Sequence, residues 1–260
     1  MNDPPRSQAY LWDGLLLYAT PSLRNGKHRH HPASLHIAVD GPFRLDVDGV
    51  GPRDYRLALI APNARSAVDT GGRPLVDILI DPESAAFACL RPLLGDAPVI
   101  APPRERLTGF EPDLRAMLAG TLDCGTAFAR VEAILAALCD YRPRPPALDP
   151  RIRTVLSHLE DRLAEPPPVA ELAAVAGVSE SRFMALFKAQ LGLPVRQYLL
   201  WRRLRQAAAL WDEGRSLSDL AVTAGFYDQA HFTRTVKRML DIAPSLLADP
   251  GRTVVHNCLA

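Results

Sequence analysis

Cysteine is scarce in this sequence: four in 260 residues, Cys89, Cys124, Cys139 and Cys258. None belongs to a C-x-x-C pair and none has the Cys/His spacing of a zinc site, which excludes the common zinc modules. The four read as reduced structural or surface thiols. Lysine is scarcer still: Lys27, Lys188 and Lys237 stand against an otherwise all-arginine basic set. No apolar run approaches the roughly 20 residues of a membrane span. The opening Met1–Arg6 lacks a charged head followed by an apolar run, so a cytoplasmic protein away from membranes is expected. G-x-S-x-G, a phosphate-cradling glycine loop and HExxH are all missing. No catalytic residue, metal or cofactor is therefore expected.

Positive charge is present but unevenly placed. Between Arg182 and Arg238 ten basic residues face four acidic ones, a difference of +6, whereas residues 1–147 carry sixteen basic and seventeen acidic residues. A local excess of cations is what a phosphate-bearing partner requires. Proline marks the domain boundary. Four prolines between Tyr141 and Pro150 (Pro143, Pro145, Pro146 and Pro150) disfavour a helix and give an extended spacer. The expected layout is an N-terminal domain over 1–142, a linker over 143–149 and a C-terminal domain over 150–250.

Upstream of the linker, hydrophobic period and turn residues predict short strands. They fall at 34–39, 43–48, 56–61 and 74–80, separated by Asp40-Gly41-Pro42, Gly49, Pro62-Asn63 and Thr70-Gly71-Gly72. This spacing suggests a small β-barrel or sandwich. Helical periodicity follows at 110–122 and 126–140, where a lid on the core or a dimer interface is expected. Beyond the linker, Ile152, Val155, Leu156, Leu159 and Leu163 mark one helix face.

The last third repeats itself. Leu172-Ala173-Ala174-Val175-Ala176-Gly177-Val178-Ser179 recurs as Leu220-Ala221-Val222-Thr223-Ala224-Gly225-Phe226-Tyr227. Phe183, Phe187, Lys188 and Leu191 recur as Phe232, Val236, Lys237 and Leu240. The offset is 48 residues before the turn (Leu172 to Leu220) and 49 after it (Phe183 to Phe232), so the second copy has one more turn residue. Each copy reads as helix, tight turn, helix, over about 169–190 and 217–239. Gly177 and Gly225 stop the first helix; Ser179 and Asp228 can cap the second. A connecting helix from Pro194 to about Trp211 carries Tyr198, Arg202, Arg203 and Arg205. At about 26 Å it suits two recognition helices one DNA turn apart.

Residues 150–247 resemble the DNA-binding domain of AraC/XylS-type regulators. The match runs through Ala176-Gly177-Val178-Ser179 and Phe187-Lys188-x-x-x-Gly192, then Gly225-Phe226-x-x-x-x-x-Phe232-x-x-x-x-Lys237, and closes with Asp241-Ile242-Ala243-Pro244. Val236 stands where the family usually has Phe, and Asp241 where it has Gly. The resemblance implies that Ser181, Arg182, Met184 and Ala185 of one helix, and Gln229, Ala230, Thr233 and Arg234 of the other, face bases. Lys188 and Lys237 would meet the phosphate backbone. Arg pairs bidentately with guanine and Gln with adenine, which singles out Arg234, Arg182 and Gln229 as base readers and makes the second unit the more discriminating.

The resemblance also implies an α+β chain: a cupin-like small β-barrel with two helices, then an all-α domain with two helix-turn-helix units. His28-Arg29-His30-His31 and His36 invite comparison with the metal-binding H-x-H of cupins, but the segment after Pro62 offers no further histidine. An effector-contacting role for His28, His30 and His36 is expected instead. The chain then reads as a transcription regulator acting on double-stranded DNA and RNA polymerase, homodimeric and governed by an unnamed small effector. The alternatives are a regulator with no ligand and a cupin-type metal-dependent enzyme fused to a DNA-binding domain.

Overall fold

Side chains alternate across each strand of the N-terminal half, and this builds two cores at once. The computed structural model describes residues 6–139, 148–160, 162–163, 165–211, 215–240, 243–247, 249 and 251–259. The strands are β1 (Ser7–Trp12), β2 (Leu15–Thr20), β3 (His28–Arg29), β4 (Ala33–Ala38), β5 (Phe43–Val47), β6 (Gly51–Tyr55), β7 (Leu57–Ile60), β8 (Arg65–Asp69) and β9 (Leu75–Ile80). Then come α1 (Ala85–Leu94), β10 (Val99–Ile100), a 3-10 turn at Arg104–Leu107, α2 (Glu111–Ala119) and α3 (Cys124–Leu138). The C-terminal part holds α4 (Pro150–Leu159), α5 (Val169–Val175), α6 (Glu180–Leu191), α7 (Val195–Ala209), α8 (Leu217–Thr223), α9 (Gln229–Leu240), α10 (Pro244–Leu247) and β11 (Thr253–Asn257).

Seven strands form one sheet in the order β10-β7-β4-β9-β2-β1-β11, and four form a second in the order β3-β8-β5-β6. Along β4, β7 and β9 the odd and even positions separate. Leu35, Ile37, Leu59 and Ile78 face α1, α2 and α3, packing with Leu90, Met117, Val131 and Leu135. Ala38, Ala58, Ile60 and Leu75 point the other way and meet Phe43, Leu45 and Val68 of the second sheet. Each fully buried Leu, Ile or Val among them contributes about 1.5–3 kcal/mol.

The four predicted strands lie where β4, β5, β7 and β9 form, and the two predicted helices where α2 and α3 form. Phe110, expected inside the first helix, is its cap; the second starts at Cys124 because the Asp123 carboxylate accepts from the Thr126 amide at 2.8 Å. Most of the expected linker, 143–147, lies outside the described residues.

One expectation is corrected. The cysteines are paired, not free: Cys89 is bonded to Cys139 and Cys124 to Cys258. Residues 1–145 and 237–260 form one compact unit and 146–236 a second. The returning segment is β11, which pairs in parallel with β1 from Ser7↔Thr253 to Leu11↔Asn257. The chain thus leaves the first unit, builds the helical unit, and returns. No helix among the described residues is long and apolar enough to cross a membrane.

Candidate nucleic-acid interface

The helical unit is built around aromatic contacts. On α6, Phe183, Phe187 and Leu191 recur every fourth residue and are fully buried. Phe187 meets Tyr198 of α7 edge-on, with ring centroids 5.2 Å apart. On α9 the buried set is Phe232, Thr235, Val236 and Met239, and Phe232 packs 5.1 Å from Phe226. Val236, smaller than the family's usual Phe, is accommodated within this core.

The turns form as the sequence requires. Gly177 and Gly225 have φ of 65° and 82°, the left-handed region that glycine enters without cost. Ser179 Oγ accepts from the Arg182 amide at 3.4 Å, and Asp228 Oδ1 from the His231 amide at 2.6 Å. Each cap fixes the direction of the helix that follows.

What the cores leave outside is the candidate interface. Ser181, Arg182, Met184, Ala185 and Lys188 are exposed on α6, with Met184 at 48%. On α9, Gln229, Ala230, Arg234 and Lys237 are exposed and Thr233 half-buried. Ser181, Ala185 and Lys188, spaced i, i+4, i+7, share the face opposite the core, as Ala230, Arg234 and Lys237 do on α9. The division between the two units falls within α9, between Val236 and Lys237.

The arginines of α7 behave differently. Arg203 Nε donates to the Leu163 carbonyl at 2.9 Å, and partial burial lowers its pKa. Arg202 donates to the Tyr198 hydroxyl at 3.1 Å. Part of the positive charge counted in the sequence therefore holds the unit together. Helix α7 is 15 residues, so about 22 Å long, shorter than expected.

One residue escaped the sequence reading. Tyr227, just before the cap of α9, is 89% exposed, the largest value among the big hydrophobic side chains of the described residues. Its signal was the extra turn residue of the second copy. Val222 of α8, 60% exposed, joins Tyr227 and Met184 as apolar side chains facing solvent in this unit.

The predicted histidines come together in the first unit. His28, His30 and His36 line one cavity with Asn25, Ser34 and Ser66. Its volume is about 10 Å³, the room of a single water. His28 Nδ1 donates to the Gly26 carbonyl at 2.7 Å, so its Nε2 is the acceptor toward His30 Nε2. His30 Nδ1 is 3.1 Å from the Ser34 hydroxyl, which then donates. Burial, reinforced by His28 and His36, pushes the His30 pKa well below its ordinary value and favours its neutral ring. His36 Nε2 lies 3.4 Å from Asp77, its register partner on β9. Among the described residues no group of three or more His, Cys, Asp or Glu is arranged to hold a metal ion.

A family model described as a helix-turn-helix domain matches residues 172–249. The probable transcriptional regulator LumQ of Photobacterium leiognathi is 37% identical over 98 residues, 36% of this chain and 40% of that protein. The arabinose operon regulatory protein of Escherichia coli K12 is 31% identical over 118 residues, 45% of this chain and 38% of that protein. Over this stretch the helical part carries a helix-turn-helix domain similar to that of these two regulators. This chain spans about 40% of the length of these relatives. The crystal structure of ToxT from Vibrio cholerae O395 covers 91% of the present chain and 98% of its own, with a TM-score of 0.56 at 11% identity. The mixed α+β order, sheets first and helices after, is thus shared over nearly the whole chain.

Proposed function

We propose that this protein is a sequence-specific DNA-binding transcription regulator. The observation that carries this reading is the doubled unit: two capped helices, each with its aromatic side buried and a polar, cationic side exposed, within an AraC-type domain. Arg234, Arg182 and Gln229 read base edges, and Lys188 and Lys237 contact phosphates. Ser181, Met184, Ala185, Ala230 and Thr233 complete the contact surface. Tyr227 extends it, its hydroxyl suited to phosphate or sugar. The cationic share of the contacts makes affinity fall steeply with salt.

The N-terminal domain, cupin-like in its paired sheets, senses an effector and mediates homodimerisation; the complex acts on RNA polymerase in the cytoplasm. His28, His30 and His36 supply the effector contacts. The water-sized cavity limits the ligand to a very small one unless the sheets separate around it. A regulator rather than an enzyme accords with the relatives named above.

Binding to fragments of the DNA upstream of the protein's own and neighbouring genes, at two salt concentrations, tests the proposal. Competitor-resistant binding that weakens with salt and is reduced in Arg234→Ala supports it. Binding indifferent to sequence at both salts overturns it.

A further inference from the structure

Two disulfides hold the ends of one helix. Cys124 is the first residue of α3 and Cys139 caps its last turn. Cys139 is joined to Cys89 of α1 across 50 residues of sequence. Cys124 is joined to Cys258 across 134 residues, with Cα atoms 5.5 Å apart. That second loop encloses every element of the helical unit, and Cys258 directly follows β11. All four sulfurs belong to half-buried residues.

The strand that Cys258 fastens is lightly held otherwise. β11 is five residues long and sits at the sheet's edge, paired on one side only. Of its residues only Thr253 is buried. His256 stacks on Tyr10 at 4.1 Å and donates to or accepts from Gln8 at 3.0 Å. The amide of Cys258 donates to the Leu11 carbonyl at 3.0 Å. Edge strands of this kind open locally at low cost, and a covalent closure behind them changes that most. In a reducing compartment, disulfides are commonly transient and sensing rather than permanent.

We infer that Cys124 and Cys258 are a reversible oxidation site whose bridge clamps the returning strand β11 onto β1. The inference draws on the regulator reading for its compartment and goes beyond it in assigning the site. The oxidant class is a low-molecular-weight disulfide such as oxidised glutathione. The Cys124 thiolate attacks one of its sulfurs and releases a thiolate. The Cys258 thiolate then attacks the Cys124 sulfur and releases the second. Two protein thiols lose two protons and two electrons; one disulfide becomes two thiols.

The test uses the full chain without DNA, held in oxidised glutathione or in dithiothreitol. Alkylation with peptide mass spectrometry maps the bridges, and hydrogen exchange follows the amides of 253–259. In oxidised wild type we expect the 124–258 bridge and exchange slower than in the reduced protein by about tenfold or more. Cys258→Ser should exchange at the reduced rate in both conditions, and Cys89→Ser should keep the difference. Three results overturn the inference: no 124–258 bridge after oxidation, a bridge that dithiothreitol leaves intact, or exchange independent of the bridge. Operator binding measured alongside separates the two readings. Retained operator binding with an unresponsive β11 sinks only the switch; a responsive β11 in a protein that binds no operator sinks only the regulator.

Discussion

At the scale of single residues, charge and burial decide most. Arg234 stands opposite the core of α9, where the equivalent position of α6 is Ala185. A guanidinium can discriminate guanine and a methyl group cannot, so Arg234→Ala should cost about 1–3 kcal/mol of operator affinity. Arg182→Ala should cost less; titration of both variants against one operator checks the order. His31 supplies a stability test. Its ring is buried, and burial lowers its pKa to about 4 despite the Asp81 charge and an Asn63 hydrogen bond. Above pH ~6.5 both folded and unfolded forms are neutral, and His31 adds no pH dependence. Below that the unfolded chain takes up a proton first, so stability falls until pH reaches the folded value, by roughly 3 kcal/mol in all. Urea unfolding of His31→Gln between pH 7 and 4.5 should show a shallower fall than wild type.

At the scale of elements, the turns and their aromatic supports can be tested separately. A Cβ at Gly177 would meet no neighbouring atom within 4 Å, so only its φ of 65° opposes substitution. Gly177→Ala should therefore lose about 1–2 kcal/mol, and Gly177→Asn less, as read from urea midpoints. Phe187→Ala removes a fully buried ring that meets both Phe183 and Tyr198. Its expected cost is about 3–5 kcal/mol, with operator binding lost as the unit loosens. The helices were legible because their periodicity, glycines and caps agree over a long stretch. β1, β2 and α1 were not delimited: Leu15–Thr20 is an apolar run without alternation, and α1 carries Pro92 inside it.

At the scale of the whole molecule, the covalent links matter most. The 50-residue loop closed by Cys89 and Cys139 should stabilise the first unit by up to about 4 kcal/mol through lost freedom of the unfolded chain. A Cys89→Ala/Cys139→Ala variant compared with oxidised wild type by urea unfolding measures this. β11 has a second role at this scale, since it covers the edge of β1, which would otherwise present unpaired backbone groups.

The sequence by itself determined the doubled helix-turn-helix, its capping residues and the exposed set on α6 and α9. Each depends on spacing within a few turns, where helical period and turn chemistry act locally. Only the tertiary structure decided which cysteines meet, which arginines of α7 serve the fold, and where the last strand goes. Cys124 and Cys258 are 134 residues apart, and Thr253–Asn257 finds its partner at Ser7–Leu11. Such pairings are set by how the intervening chain packs, which no local pattern of residues encodes.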